Sequence, residues 1–275
     1  GGVPIPGATF CAYTTPAPVA GDDGARYKVE VTVGTETVSS GEVSLTVVAL
    51  TAPASPQLSY NFNSGVPAGA DIGGAAPEGA TQVALVDGFG GVGDSGVLKL
   101  TTSENSQVGG FRSGLVESGA QLLEFTLAAD VLAGNGATAY PADGFSMCIA
   151  SALPITAPGE AENGAGTGIT VAFDTYDNDD GNPTNEAGEA PSIDIRYQGR
   201  VVAVKRVPLD LLNSGVYTPV LLRVRENGIL DLAFGDTVVY HGLQVTNYVP
   251  MSAVRVGLYG RTGGANASYW IDNLC

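Results

Sequence analysis

The strongest constraint on the fold is a succession of strand-length segments that runs from Leu58 to the end of the chain. Val, Ile, Thr and aromatic residues are frequent in these segments, and clusters of Gly, Asn, Asp and Pro separate them. No stretch of helical length shows an apolar periodicity of about 3.6 residues. The pattern predicts an all-β fold, and a domain of this length with so many strands is expected to be a two-sheet jelly-roll sandwich. The predicted strands are 58–62, 82–86, 96–102, 121–130, 144–151, 168–176, 192–197, 200–206, 217–225, 228–233, 236–240, 252–260 and 268–274.

Composition and charge narrow the class of protein further. Of the 275 residues, 44% are hydrophobic and 15% are charged, so the chain can bury a core and is not disordered by composition. Lys and Arg number 12 against 28 Asp and Glu, which gives a formal net charge of −16 at pH 7. Such a surface repels nucleic acid and anionic membranes, and it suits an extracellular or high-salt setting and cation binding. No apolar stretch is long enough to span a membrane as a helix.

Residues 1–50 have a pattern of their own, which consists of predicted strands and is followed by a Pro- and Ala-rich linker at 51–57. Apolar and polar residues alternate from Tyr27 to Val33 and again from Val43 to Val47. Between these segments, Gly34–Thr37 is typical of a hairpin turn. We therefore expect two domains, a small one at 1–50 and a jelly roll at 58–275.

The N-terminal segment resembles the C-terminal half of a bacterial immunoglobulin-like module. Such modules carry a D-x-G-x-x-Y sequence, which is formed here by Asp22, Gly24 and Tyr27. Antibody-type domains have a Cys two residues after the Tyr, and Val29 holds that place, so the resemblance implies no inter-sheet disulfide. The segments that carry the resemblance are Val3–Thr9, Tyr13–Ala17, Asp22–Val29 and Ser40–Val47.

This resemblance implies a half-domain, because the early strands of the module would lie upstream of Gly1. Half a sandwich leaves an apolar face and open strand edges exposed. We expect either upstream chain or a strand from a neighbouring subunit to complete it. The alternative is that the segment is a small appendix packed on the main domain.

The large domain contains two motifs, Tyr140–Met147 and Gly166–Asn178. Together they resemble the concanavalin A-like fold and specifically the legume-type (L-type) lectins, which carry A-D-G before an apolar strand, a Gly-rich loop, and then E-F-D-T-[FY]-x-N. The C-terminal segments are similar to the closing strands of bacterial members of this family. Those segments are Val254–Leu258, Thr262–Gly264 and Trp270–Leu274.

The resemblance implies a carbohydrate site. The A-D-G aspartate of the lectins accepts hydrogen bonds from two sugar hydroxyls, and Asp143 matches it; Asn178 matches an asparagine that contacts both calcium and sugar. A backbone N–H of the Gly-rich loop would add a donor, and Tyr140 or Tyr176 could supply an aromatic face. The alternative for Asp143 is structural, because P-A-D-G is also a favourable turn sequence. The loop candidates are Gly164, Gly166 and Gly168.

An acidic loop follows the second motif, and six carboxylates between Asp174 and Glu189 favour a bound cation. The resemblance implies calcium; the alternative is a solvated acidic loop without an ion. Ala172 replaces the glutamate that binds the transition metal in legume lectins, and Glu189–Ser192 lacks the corresponding histidine, so that second site is expected to be absent. The implied calcium ligands are Asp174, the Tyr176 carbonyl, Asn178 and one of Asp179 or Asp180.

Catalysis is not expected. The hydrolases of this fold carry E-x-D-x-x-E on one strand, which places two carboxylates on one face, and the chain has no such spacing. It also lacks a G-x-S-x-G motif and has one histidine, His241. Cys11, Cys148 and Cys275 are expected to be buried thiols, with a Cys148–Cys275 disulfide or a bond to another chain as alternatives.

Two functions remain open. The first is a non-catalytic extracellular carbohydrate-binding or adhesion module of a larger secreted or surface protein, assisted by calcium, with a glycan or polysaccharide as partner. The second is a structural subunit of an extracellular fibre or surface array, whose exposed edges pair with neighbouring subunits by strand addition.

Overall fold

The computed structural model describes residues 2–6, 8, 20–45, 47, 57–73, 81–116, 121–136, 138–156, 159–177 and 190–275. The chain divides into two compact units, Gly1–Thr51 and Ala52–Cys275. In the described part of the chain, no helix is long and apolar enough to cross a membrane.

The N-terminal unit contains short antiparallel strand pairs. In the hairpin, Val31 lies opposite Val38, and Gly34 takes a positive φ of 64° in the connecting turn. The turn therefore begins at Gly34 as predicted, but the second strand is Glu36–Ser39 and not the predicted segment from Val43 to Val47. The described residues do not establish an immunoglobulin-like module, so that assignment stays a prediction. The strands are β1 (Arg26–Tyr27), which pairs with β4 (Val43–Ser44), and β2 (Glu30–Val33), which pairs with β3 (Glu36–Ser39).

The second unit is built from two large sheets. The strands of sheet A are β5 (Asp71–Ile72), β6 (Thr81–Gln82), β9 (Gln107–Arg112), β12 (Gly144–Ala150), β13 (Ile169–Asp174), β14 (Ser192–Tyr197), β15 (Arg200–Arg206) and β20 (Arg255–Arg261). The strands of sheet B are β7 (Leu85–Asp87), β8 (Val97–Thr101), β11 (Phe125–Gly134), β16 (Tyr217–Val224), β17 (Ile229–Phe234), β18 (Thr237–Gln244) and β21 (Ser268–Asp272).

Antiparallel pairing dominates both sheets. Sheet A has the order β15-β14-β13-β12-β20-β9-β5, and β6 adds to β9 in parallel. Sheet B has the order β18-β17-β16-β11-β21-β8-β7. The shorter elements are the pair β10 (Gln121–Leu122) and β19 (Met251–Ser252), the single-turn helix α1 (Leu209–Leu212), and 3-10 turns at Ala20–Asp22, Val92–Asp94 and Ala161–Asn163. This architecture confirms the predicted all-β jelly-roll sandwich.

The core lies between the two sheets, because alternate residues of each strand point to the same face. Phe145 of β12 stacks on Phe173 of β13 with ring centroids 4.3 Å apart. From sheet B, Phe234 and Tyr269 contact this pair at 5.5 and 5.3 Å. Truncating either Phe to Ala would cost about 3–5 kcal/mol, as expected for a large buried aromatic residue.

The outer face of β12 is also buried, because the β12–β13 connection folds back over sheet A. Cys148 and Ala150 of β12 pack there against Leu153, Ala161 and Tyr259. The Cys148 thiol accepts hydrogen bonds from the Ala165 N–H at 3.3 Å and the Thr170 hydroxyl at 3.4 Å. Burial on both faces explains why β12 carries no charged residue and why its one hydroxyl, that of Ser146, donates to the Ala161 carbonyl at 2.6 Å.

The structure does not contain the Cys148–Cys275 disulfide that the sequence left open as an alternative. Cys148 and Cys275 both carry free thiols, one buried in the second cluster and the other half-buried at the C-terminus. Cys148 is therefore a small core residue, in agreement with the expectation that it is a buried thiol. Cys11 lies outside the described residues.

The strand predictions hold best for two neighbouring strands of sheet A. β14 and β15 have the predicted bounds, whereas β18 extends further along the chain, to Gln244. The segment predicted as the first strand, 58–62, contributes only an isolated bridge between Tyr60 and Leu274. β9 was not predicted, because Gly109 and Gly110 interrupt its apolar pattern.

Candidate functional site

Asp143 lies at the start of β12, after a cis peptide bond with Ala142, and its backbone is held from two sides. Its N–H donates to the carbonyl of Arg261 at the end of β20, at 2.9 Å. Its carbonyl accepts from the N–H and the hydroxyl of Thr175, both at 3.0 Å. The residue is 4% exposed. Asp143 is therefore fixed between the ends of two neighbouring strands, as a binding residue must be.

The loop after β20 places Gly263 directly against the Asp143 carboxylate. A Cβ atom at Gly263 would lie 3.0 Å from Asp143 Oδ2 and 3.1 Å from Oδ1, so the absence of a side chain lets the loop approach both oxygens closely. The loop is anchored by the Ser106 N–H, which donates to the Gly263 carbonyl at 3.0 Å. The neighbouring Gly264 has no atom within 4 Å of such a Cβ.

An arginine connects Asp143 to the β12–β13 connection. Arg261 Nε lies 2.8 Å from Asp143 Oδ2, and its Nη2 donates to Glu162 Oε1 at 2.8 Å. Its Nη1 donates to the Gly159 carbonyl at 2.9 Å. Gly144 lies directly opposite Arg261 in the sheet, and a Cβ there would come within 2.9 Å of the Glu162 Cβ. The glycine therefore lets Glu162 approach the end of β12.

Burial controls the electrostatics of this end of the sheet. It raises the pKa of Glu162 to about 7, although the charge of Arg261 opposes the shift. It also raises the pKa of Asp174 to about 8, helped by the nearby charge of Glu162. The pKa of Asp143 is raised by burial too, against the opposing effect of Arg261. These three carboxylates are costly to ionise together, which favours a positively charged or hydrogen-bond-donating ligand.

Two tyrosines flank this end of sheet A along the chain. Tyr140, three residues before Asp143, is 67% exposed, and Tyr176, one residue after Thr175, is 41% exposed. Exposed aromatic rings near a fixed carboxylate are suited to a ligand with both polar and apolar faces.

The structure does not bring Gly166 to Asp143. Gly166 packs against Ala150 and Leu153, at the far end of β12. At about 3.3 Å per residue, the seven steps from Asp143 to Ala150 place these ends about 23 Å apart. Gly164 and Gly168 likewise pack near Cys148 and Ile149. The residues of this connection that are linked to Asp143 are Gly159 and Glu162, since both contact Arg261 and Arg261 contacts Asp143.

The expected calcium ligands are described only in part. Asn178, Asp179 and Asp180 lie outside the described residues. Asp174 is buried, and its Oδ1 accepts from the Tyr176 N–H at 3.2 Å. No group of three or more His, Cys, Asp or Glu side chains placed to hold a metal occurs within the described ranges. The chemistry of Asp174, a buried carboxylate with a raised pKa, fits a cation that the neighbouring loop would complete.

Sequence reasoning did not assign roles to Arg261, Glu162 or Gly263. Arg261 falls one residue beyond the predicted strand 252–260, and nothing in the sequence indicates that it lies opposite Gly144. Gly263 lies in the segment Thr262–Gly264, which is part of the family resemblance, but the sequence assigns it no part in a binding site. Asp194 is also buried, opposite Ala172 on the same face as Asp174. An acid therefore lies beside the position where legume lectins have a glutamate.

Comparison with known proteins identifies the fold. No protein-family model and no curated protein matches the chain. Among solved structures, the carbohydrate recognition domain of Emp47p matches 82% of this chain and 97% of its own, at 15% identity and a TM-score of 0.54. The exoplasmic/lumenal domain of VIP36 in its Ca²⁺/Man3GlcNAc-bound form matches 79% and 88%, at 14% identity and a TM-score of 0.54.

A lectin from Bauhinia forficata, in complex with GalNAc, matches 79% of this chain and 95% of its own, at 18% identity and a TM-score of 0.51. At these identities the likeness shows the fold alone: the large unit is a jelly-roll sandwich of the type found in legume-type lectins.

Proposed function

We propose that the large unit is a non-catalytic, calcium-assisted carbohydrate-binding module of a secreted or surface protein, with Asp143 at the centre of its site. The observation that carries this proposal is the fixed, buried carboxylate of Asp143 with the side-chain-free Gly263 against both of its oxygens. Two solved structures that share the fold support it, because VIP36 is bound to Man3GlcNAc and the Bauhinia forficata lectin is in complex with GalNAc.

The proposed site reads a sugar by its hydroxyls. An ionised carboxylate is an acceptor with about four lone-pair positions, so it can hold two neighbouring hydroxyls of one ring. Tyr140 and Tyr176 would pack against the apolar face of the sugar, and the Asn178 amide would add a donor. Gly166 keeps no place in this site, because its position at the far end of β12 supports a packing role.

Calcium would act next to the sugar rather than on it. Asp174, the Tyr176 carbonyl, Asn178 and one of Asp179 or Asp180 would hold the ion. Its positive charge would offset the cost of ionising Asp174 in a buried place, and it would fix the loop that carries Asn178. The acidic surface, with its net charge of −16, supports an extracellular or lumenal setting.

The test is sugar binding by isothermal titration calorimetry with mannose, galactose, N-acetylglucosamine and N-acetylgalactosamine, each with calcium and with a chelator. We expect millimolar to micromolar binding of at least one sugar, and loss of that binding in Asp143→Asn, which keeps the size but removes the charge. Asp130→Asn on sheet B is the matched control. The proposal is contradicted if no sugar binds, or if sugar binding survives in Asp143→Asn.

A second candidate function is a fibre or array subunit, which one observation in the N-terminal unit favours. Five valines in and around its hairpin are exposed although β-branched apolar residues usually lie inside, and β2 and β3 form an isolated pair within the described residues. A second copy of this chain could add a strand to this hairpin, which would cover the valines. These five are Val29, Val31, Val33, Val38 and Val43.

Sedimentation velocity over a range of concentrations tests this candidate. The full chain is expected to self-associate, and Val31→Thr with Val38→Thr is expected to weaken that association. Val249→Thr, at an exposed valine of the large unit, is the control. A chain that stays monomeric at all concentrations rules this function out.

A further inference from the structure

We infer that Arg261 is a positioning residue of the proposed glycan site: anchored by Glu162 and the Gly159 carbonyl, its guanidinium holds the Asp143 carboxylate as an acceptor for sugar hydroxyls. This inference rests on the proposed function. It assigns to Arg261 and Glu162 a role in ligand binding although neither is expected to touch the sugar.

The two terminal nitrogens of the guanidinium are hydrogen-bonded, because Nη2 donates to Glu162 Oε1 at 2.8 Å and Nη1 donates to the Gly159 carbonyl at 2.9 Å. Nε lies 2.8 Å from Asp143 Oδ2 in an ion-pair contact that lacks hydrogen-bond geometry. Because the guanidinium is planar and rigid, fixing the two terminal nitrogens also fixes the direction of Nε. The orientation of Asp143 is thus set by the loop that covers sheet A.

Arg261 leaves the carboxylate able to bind a ligand. The ion pair joins Nε to one oxygen, Oδ2, whereas a bidentate pair would occupy both. The side of both oxygens that faces Gly263 has no side chain. Arg261 and a sugar would therefore contact the carboxylate from different directions, and they would not compete.

Glu162 is placed to hold Arg261 rather than the ligand. It is 3% exposed, and Arg261 is its ion-pair partner among the described residues, through Oε1. Its other oxygen, Oε2, has no hydrogen-bond partner among the described residues. A buried carboxylate that is only half satisfied is costly, so its contact with Arg261 must be retained for the loop to keep this position.

The test compares Arg261→Met, which keeps the length but removes the charge, with Arg261→Lys, which keeps the charge without the fork. Affinity is measured by calorimetry for the best-binding sugar of the panel above. We expect Arg261→Met to lose at least about tenfold in affinity, because the Asp143 carboxylate loses the ion pair that orients it. Arg261→Lys should recover part of the loss. Arg255→Met is the control, since Arg255 lies on the same face of β20 and also donates to a backbone carbonyl, that of Ser113.

A double-mutant cycle tests the part of Glu162. Glu162→Gln alone should weaken binding, and combining it with Arg261→Met should add little, because Glu162 acts through Arg261. Circular dichroism and thermal unfolding identify variants that bind poorly because they are misfolded; for these, Arg261→Lys gives the decisive comparison.

The outcomes separate this inference from the proposed function. If wild-type protein binds no sugar of the panel, or binds without Asp143, the proposed function fails and this inference fails with it. If binding requires Asp143 but Arg261→Met binds as well as wild type, only this inference fails. Tighter binding by Arg261→Met also contradicts it, because that result means that Arg261 competes with the sugar.

Discussion

Replacing Gly263 by Ala adds one methyl group at the position proposed for the sugar. The new Cβ would lie 3.0 Å from Asp143 Oδ2 and 3.1 Å from Oδ1. A hydroxyl that donates to a carboxylate places its oxygen about 2.5–2.7 Å from the acceptor. The methyl group and the sugar oxygens therefore need the same space, and Gly263→Ala should prevent binding without touching any other residue of the site.

The magnitude follows from the two hydrogen bonds that the methyl group would displace. Each charge-assisted hydrogen bond contributes about 1.5–3 kcal/mol, so losing both costs at least about 3 kcal/mol, or more than about 100-fold in affinity. Folding should change much less. The atoms nearest the new Cβ belong to one side chain, which can shift by a few tenths of an ångström, so we expect a stability change within about 1 kcal/mol.

The assay is calorimetric titration of wild type, Gly263→Ala and Gly264→Ala with the best-binding sugar, together with thermal unfolding. Gly264→Ala is a close control: it adds the same methyl group at the next residue, with no atom within 4 Å. We expect wild-type affinity for Gly264→Ala and no detectable binding for Gly263→Ala. Equal affinity of the two variants would refute a site over Asp143.

Three further predictions concern charge. The folded-state pKa is raised to about 7 for Glu162 and to about 8 for Asp174, so the folded protein holds protons that the unfolded chain releases. With a chelator present, the melting temperature should therefore fall as the pH rises from 5 to 8. Glu162→Gln or Asp174→Asn should make the melting temperature depend less on pH. Calcium added at pH 8 should raise the melting temperature of wild type, and Asp174→Asn should remove this effect; no effect on wild type contradicts the calcium proposal. Calorimetry should show weaker binding of glucuronate than of glucose, because Asp143, Glu162 and Asp174 outnumber Arg261, and equal binding contradicts this charge argument.

The sequence was informative wherever local pattern decides structure. β14, in which polar and apolar residues alternate, and β15, a run of apolar residues between charged ends, were predicted with the observed bounds. The A-D-G motif pointed to Asp143. β9 was missed because Gly109 and Gly110 remove the side chains that would show its alternation. At Gly109, a Cβ would collide with the carbonyl of Leu100, so the glycine is required by a close backbone approach that sequence alone does not show.

The partners of Asp143 depend on sheet order, which local pattern does not give. Arg261 reaches Asp143 because β20 lies beside β12, although the two strands are far apart in sequence. Glu162 reaches both through a connection that folds back over the sheet. For the same reason Gly166, which a motif placed at the site, lies instead at the opposite end of β12.

A carbohydrate site at Asp143 is most directly tested by a nuclear magnetic resonance titration of ¹⁵N-labelled protein with the best-binding sugar. We expect the changes in backbone amide chemical shift to concentrate at four residues, with little change at Gly166. These four are Asp143, Thr175, Tyr176 and Gly263. Shifts that concentrate elsewhere, for example around Trp270 on sheet B, would contradict a carbohydrate site at Asp143.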